Sequence, residues 1–306
     1  MSVSSPTLTV PESAPSGKGR PPAIHDAGTR RRRIATRVAG YTVLVAFSLI
    51  FLYPFVIQLA SAFKTDADAQ ANPLSPVPHP FSDTSFLHIF DSTDFPRWML
   101  NSILVTVLVT IGRVFFDSLA GYALARLKFR GRAAIFAAVL AVMSVPGVVL
   151  LIPKFLVLNQ LGLYNSYPAL ILPLLVDAAG IFIMKQSFEM VSPEMEEAAR
   201  IDGAGIFRTY WSVVLPMVRP ALITLTILSF QGSWNEFPST LVSVQSPSLF
   251  TLPRGLANLV SGSLGAGTQY PLKLGAALLA TIPVAIIFLI FQRFFIRGAN
   301  EGGVKG

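Results

Sequence analysis

Residues Glu197 to Pro216 read EAARIDGAGIFRTYWSVVLP, a polar, helix-prone insert set between two hydrophobic runs of membrane length. Immediately upstream, Ser192-Pro193-Glu194 makes a helix start. Serine suits the N-cap, proline suits the first helical position, and acids over the first turn favour the helix dipole. The pattern predicts a first short helix from about Pro193 to Ile201. Gly203 and Gly205 then permit a sharp turn, because a residue without Cβ adopts positive φ at little steric cost. A second short helix, about Ile206 to Val214, is expected to stop before Pro216. Ala198 and Ala199 leave little side chain on the first helix, so another protein's surface can approach its backbone, and Glu197 offers a charged hydrogen bond at the edge. The bland alternative is an exposed helical hairpin whose acids are merely solvated.

The rest of the chain places this insert in a membrane. Hydrophobic residues make up 52% of the 306 residues and charged ones only 13%, and the mean hydropathy is +0.59, far above what a solvated globule of this length needs. Six runs are long enough to cross about 30 Å of hydrocarbon as helices: roughly Val38–Ala60, Trp98–Leu127, Ala133–Leu158, Pro168–Phe188, Ala221–Leu241 and Leu272–Phe295. The fold class expected is an all-α membrane protein with six transmembrane helices. Its parts are a disordered basic tail over 1–37, a six-span domain over 38–296 with the insert at 189–218, and a short tail over 297–306. Without cysteine there is neither a disulfide framework nor a thiol site.

A net charge of +8 suggests nucleic acid in a soluble protein, but here its placement follows topology. If the six runs are spans, 18 of the 24 Lys and Arg fall on the side of the insert. They lie in the N-terminal tail (Arg30 to Arg33, Arg37), the second connection (Arg126, Lys128, Arg130, Arg132), the insert and the C-terminal tail. Lys64, Arg97, Arg254 and Lys273 fall opposite, while Arg113 and Lys154 lie inside spans. By the positive-inside rule both termini and the insert are cytoplasmic. The first run is too long for a signal peptide and reads as a retained span. The arginines before it read as an orientation signal and lipid contact, and not as a nucleic-acid site.

Polar residues within spans are expected to face protein or water, since leaving one unsatisfied in hydrocarbon costs several kcal/mol. Gln231 and Asn235, four apart in the fifth span, share a helix face that lines an aqueous path or bridges to a neighbouring helix. Glu236 and Asp177 are further path candidates, Asp177 with no obvious partner in the sequence. Trp234 reads as an interface anchor, with stacking on a sugar ring as the alternative. Arg113 and Asp117, also four apart, are expected to neutralise one another. Pro146, Pro153, Pro173 and Pro283 interrupt spans and mark kinks. Outside, the loop from about Ser61 to Arg97 carries five aspartates without EF-hand spacing, so it reads as a solvated loop and not a Ca²⁺ site. The last outer loop ends in Ser261-Gly-Ser-Leu-Gly-Ala-Gly267, a flexible stretch suited to reaching into a partner.

The spacing of Glu197-Ala-Ala, three residues, Gly203, nine residues, an aliphatic residue, one residue and Leu215-Pro216 resembles the cytoplasmic EAA loop of ATP-binding cassette importer permeases. Val213 stands where Ile is more usual. Asn101-Ser102, Tyr122-Ala-Leu-Ala-Arg-Leu-Lys-Phe-Arg-Gly131, Trp234-Asn235-Glu236-Phe237 and the terminal Gly302-Gly-Val-Lys-Gly306 extend the similarity to carbohydrate importer permeases of the maltose-transporter type, over nearly all of residues 38–306. The resemblance implies a type I importer permease fold in a bacterial cell membrane. It implies that Glu197, Ala198, Ala199, Asp202 and Gly203 couple to an ATPase, with Leu215 and Pro216 holding the second loop helix against the membrane base. The implied partners are a second homologous permease, two ATPase subunits holding ATP and Mg, an extracytoplasmic binding protein, membrane lipid and a sugar or polyol, with no cofactor on this chain and no nucleic acid. Another small polar solute remains an alternative cargo. An ion-coupled carrier is a rival class, with Asp177 or Glu236 carrying protons, but no internal repeat is evident and such a carrier has no use for the insert. A membrane enzyme is disfavoured: His25, His79 and His88 lie in the tail and outer loop, and there is no HExxH, nucleophile elbow or Walker A motif.

Overall fold

The computed structural model describes residues 27–262 and 269–302, with side chains over 34–260 and 269–292, and every regular element in it is helical. A long first helix, α1 (Ala27–Ala62), is followed by two short outer helices, α2 (Asp66–Ala71) and α3 (Thr84–Ser92). Then come α4 (Phe95–Arg126), α5 (Arg132–Met143), α6 (Leu151–Gln160), α7 (Tyr167–Ile171) and α8 (Ala178–Glu189). The 189–218 segment holds α9 (Pro193–Ile201), α10 (Ile206–Thr209) and α11 (Leu215–Met217). The chain continues through α12 (Arg219–Trp234), α13 (Pro238–Ser243), α14 (Leu252–Gly262) and α15 (Tyr270–Gly302). The N-terminal residues 1–26, the glycine-rich loop at 263–268 and the tail at 303–306 lie outside the described residues. From Ala27 onward the backbone is helical, within the stretch that the sequence suggests is a tail.

Two compact units divide at Tyr53 and Pro54. In the first, α1 from Ile34 on is apolar around its circumference, with Leu44, Phe47, Ile50 and Phe51 all more than half exposed. That is the surface of a helix whose neighbour is hydrocarbon. In the second unit α4 is the hub, packing along α8 and α12, with α14 against its outer half. Small residues permit the α4–α8 approach: a Cβ on Gly121 would stand 2.7 Å from Met184 Cβ and 2.9 Å from the Lys185 nitrogen. One apolar core gathers Trp98, Val105, Val109, Leu170 and Trp234 towards the outer half, and a second gathers Tyr122, Met184, Phe188, Tyr210 and Val214 beside the 189–218 segment.

Four helices are long and apolar enough to cross a membrane, and six spans result if each of two bent pairs counts as one. The third expected span is α5 and α6, bent by 101°. Pro146 has no N–H to continue α5 and disfavours helical geometry in the residue before it, so the chain turns there. Pro153 sits in the first turn of α6 and Pro283 inside α15 without ending either helix. The fourth span is not one helix but α7, a 3₁₀ turn over Leu172–Leu174 and α8. The other bent pair joins Ile206–Met217 to α12, whose helix ends at Trp234, earlier than hydropathy suggests, because Asn235 to Phe237 leave the helix before α13 begins.

The loop between α1 and α4 is more tightly organised than a solvated one. Lys64 is fully buried, its Nζ donating to the carbonyls of Asn72 at 2.6 Å and Ser75 at 2.9 Å. Asp68, also buried, accepts from the His79 N–H at 2.9 Å and from Asn72 Nδ2 at 3.0 Å. Those bonds, with the nearby Lys64 charge, hold its carboxyl below the usual carboxylate range. A depressed folded value means that the stabilisation is present above the unfolded pKa of about 3.9 and is lost as pH falls through the lower folded value. The His79 amide should therefore keep its protection from hydrogen exchange from neutrality down to about pH 4 and lose it only below, whereas Asp68→Asn should weaken protection already at neutral pH.

Candidate functional site

The 189–218 segment forms the expected helical elbow, with differences that decide which residues it presents. α9 begins after Ser192 with Pro193 at its start and Glu194 and Glu196 in the first turn. Gly203 has φ +78°, a left-handed conformation that closes the helix: Asp202 N–H donates to Ala198 O, Gly203 N–H to Arg200 O and Ala204 N–H to Ala199 O. The second arm does not stop before Pro216. It runs from Ile206 to Met217, with a π turn over Tyr210–Val214 in which the Leu215 N–H reaches back to Tyr210 O. Pro216 cannot donate, and the wider turn just before it takes up the resulting mismatch in the ladder. Val218 then breaks the helix, and the next arm, α12, leaves at 84°.

Burial separates the expected coupling residues into two faces. Glu197, Ala198, Asp202 and Gly203 are exposed, whereas Ala199 is buried and Leu215 and Pro216 are half-buried on the bundle side. Ala199 therefore sits on the inner face of α9, and the small outward residue is Ala198. The same segment carries apolar side chains open to the surroundings: Met190 at 81%, Ile201 at 86%, Phe207 at 79% and Trp211 at 61% exposure. Exposed apolar side chains of this size are what a partner protein or lipid covers.

The inner face is latched to α4. Glu196, buried, lies with its Oε1 3.1 Å from Arg126 Nε, and its Oε2 lies 3.7 Å from Arg200. Arg126 Nη2 also donates to the carbonyls of Phe188 and Val191, so one guanidinium joins the end of α4 to the end of α8 and the start of the elbow. Beside it Lys185 pairs with Glu189 at 2.7 Å and stands over the Phe136 ring at 4.2 Å. None of these five charged residues was singled out from the sequence as a latch. The available signal was the Arg126 and Glu196 pair at two predicted helix ends on the same side of the membrane.

Inside the spans, the polar residues serve the breaks in the helices. Arg113 and Asp117 do not form an ion pair. Arg113 Nε donates to Leu174 O at 2.6 Å, and Asp117 Oδ1 accepts from the Asp177 N–H at 3.0 Å. Both hold backbone groups that the interruption of span four has released, one on each side of it. An unpaired backbone group in hydrocarbon costs several kcal/mol, which gives a physical reason for an arginine and an aspartate at this depth. Asp177 is itself the N-cap of α8, accepting from Gly180 N–H at 3.1 Å. A Cβ at Gly180 would stand 2.2 Å from Asp117 Oδ2 and 2.9 Å from Leu225 Cδ1. Asp117 cannot retreat without releasing Asp177, so Gly180→Ala should destabilise the chain by about 1–3 kcal/mol, read as a lower thermal midpoint in detergent.

The fifth-span candidates are brought together only in part. Gln231 and Asn235 are both exposed, and Asn235 closes α12 by donating Nδ2 to Gln231 O at 2.9 Å. Glu236 Oε1 instead accepts from Ser239 N–H at 2.8 Å and caps α13. Trp234 is neither an interface anchor nor an exposed stacking platform: it is buried, stacked on Phe230 at 5.8 Å, with Nε1 donating to Ala280 O. Asn101 and Ser102 acquire a role that the sequence alone did not suggest. Asn101 Nδ2 donates to the carbonyls of Ser248 and Phe250, its Oδ1 accepts from Tyr167 OH, and Ser102 Oγ accepts from Leu252 N–H. Together they fasten the outer segment before α14 to α4. Among the described residues no three His, Asp or Glu side chains converge to hold a metal.

Residues 117–300 match the family described as binding-protein-dependent transport system inner membrane component. The arabinooligosaccharides transport system permease protein AraQ of Halalkalibacterium halodurans is 31% identical over 281 residues, covering 90% of this chain and all of that protein. The sn-glycerol-3-phosphate transport system permease protein UgpE of Yersinia pestis is 30% identical over 84% of this chain and 94% of its own length. In three dimensions the chain is similar to one from a bacterial ABC transporter involved in the import of the acidic polysaccharide alginate, with a TM-score of 0.75 at 24% identity, over 87% of this chain and 98% of that one.

Proposed function

Since this chain belongs to the family of binding-protein-dependent transport system inner membrane components, we propose that its cargo is a sugar or related polyol, handed over by an extracytoplasmic binding protein. The chain is a multi-pass permease subunit of an ABC importer and not the ATP-hydrolysing one. The cargo class rests on relatives named for arabinooligosaccharides and for sn-glycerol-3-phosphate. ATP and Mg belong to two partner ATPases, and a second, homologous permease completes the pathway. Both termini and the elbow face the cytoplasm, in keeping with the distribution of basic residues.

The observation that carries the coupling role is the exposed apolar patch on the elbow. Met190, Ile201, Phe207 and Trp211 stand open on the same segment as Glu197, Ala198, Asp202 and Gly203, which Arg126 and Glu196 pin to α4. An ATPase groove covering this patch gains apolar burial, and the buried latch transmits its movement to α4 and α8. ATP closure then moves the elbow and tilts the helices that it is pinned to, which switches access from one side to the other. Photo-crosslinkers at Ala198 and Phe207 in native membranes test this reading: capture of an ATPase subunit supports it, and capture of lipid alone rejects it.

For the path itself, Gln231 is the strongest candidate, an exposed amide on a membrane helix with its neighbour Asn235 turned to helix closure. A polar side chain there faces water or the companion permease, not lipid. Gln231→Ala should lower sugar flux several-fold with the assembled complex recovered in normal amount. Asn235→Ala, which removes a cap, should reduce both together. Equal flux in wild type and Gln231→Ala places the path elsewhere.

A further inference from the structure

We propose that the span formed by α5 and α6 carries a binding site for an anionic glycerophospholipid, with the lipid phosphate on Lys154 and part of one acyl chain in the groove beside it. Lys154 belongs to the bent helix pair that reads as a single membrane span. Its side chain is half-buried, and among the described residues it takes part in no hydrogen bond, ion pair or ring contact. Arg113, Asp117 and Asp177, three other ions within spans, all have backbone partners. A lone ammonium at this depth is costly unless its flexible stem carries it to an anion.

The surroundings select the anion's carrier. A cavity of about 430 Å³ runs along the aliphatic stem of Lys154, walled also by Leu150, Val157, Leu158, Leu161 and Leu172, and its lining is wholly apolar, so the ammonium does not open into it. A sugar finds nothing there to receive its hydroxyls, whereas a hydrocarbon chain finds matching walls, with the Lys154 ammonium beyond them to meet its phosphate.

The test uses the assembled transporter, purified and reconstituted in phosphatidylcholine nanodiscs with increasing phosphatidylglycerol, with retained lipid read by native mass spectrometry. Wild type should retain phosphatidylglycerol over phosphatidylcholine, and Lys154→Ala should reduce that preference about fivefold, the effect of one lysine charge at a membrane surface. Lys154→Arg should keep it. Leu161→Trp, which fills the groove and leaves the charge, should lose retained lipid of both kinds, and it carries the test if Lys154→Ala fails to assemble. An unchanged preference in Lys154→Ala overturns the proposal. So does a zero-length carbodiimide crosslink from Lys154 to a carboxylate of another subunit, which would make the ammonium half of a protein interface.

Discussion

Gly203→Asp is expected to insert and assemble like wild type yet lose about tenfold or more of its binding-protein-stimulated ATPase activity. A Cβ at this position meets no atom of the chain within 4 Å, so no clash with the permease itself is created. The remaining intrinsic cost is that of a non-glycine residue at φ +78°, and aspartate tolerates that region better than most residues do. What changes is the exposed face: a negative charge is added next to Asp202, on the segment proposed to dock an ATPase. Gly203→Asn separates the two contributions, since it has nearly the same shape without the charge. Asparagine should keep most of the stimulation if charge at the docking face is decisive, and should match aspartate if the turn itself is. Undiminished stimulation in the aspartate variant would remove Gly203 from the coupling surface.

Arg126→Ala should have the other large effect, this time on the permease itself. Arg126 and Glu196 are both nearly buried, with side-chain exposures of 11% and 6%, and their contact at 3.1 Å is accompanied by guanidinium bonds to two carbonyls. Removing one partner of such a pair leaves a buried carboxylate with only the exposed Arg200 and the neutral Tyr122 hydroxyl nearby, a loss on the order of 3–5 kcal/mol. The elbow should loosen from α4, with transport and stimulated ATPase activity failing together and Pro193–Ile201 losing protection from hydrogen exchange. Glu196→Gln keeps the shape and should be milder. If Arg126→Ala leaves elbow exchange unchanged while transport falls, Arg126 acts by some route other than the latch.

How much of this was legible beforehand differs between elements. The elbow was readable because its signals are local: a Ser-Pro-Glu start, a glycine where φ turns positive and a spacing that few other proteins share. The π turn before Pro216 was not readable, because proline's missing donor says that the ladder must change but not whether the helix stops or widens. Span four shows the same limit. Tyr167–Glu189 is apolar enough to read as one helix, and only the packing of α4 against it shows that Arg113 and Asp117 serve its broken backbone and not each other. Trp234 misled for a related reason, since a tryptophan near a span end has the same sequence signature whether it meets headgroups or a core.

Hydropathy, the placement of basic residues and the EAA spacing were sufficient by themselves to establish a six-run helical permease with a polar elbow, because each depends on transfer free energies and backbone geometry that act over a few neighbouring residues. Which face Ala199 turns to, which carbonyl Arg113 serves, that Arg126 reaches Glu196, and that Lys154 is left alone beside an apolar groove were decided only by tertiary structure. Those outcomes depend on which helices lie side by side, and sites 60 or 70 residues apart in the chain acquire their partners only when the bundle has closed.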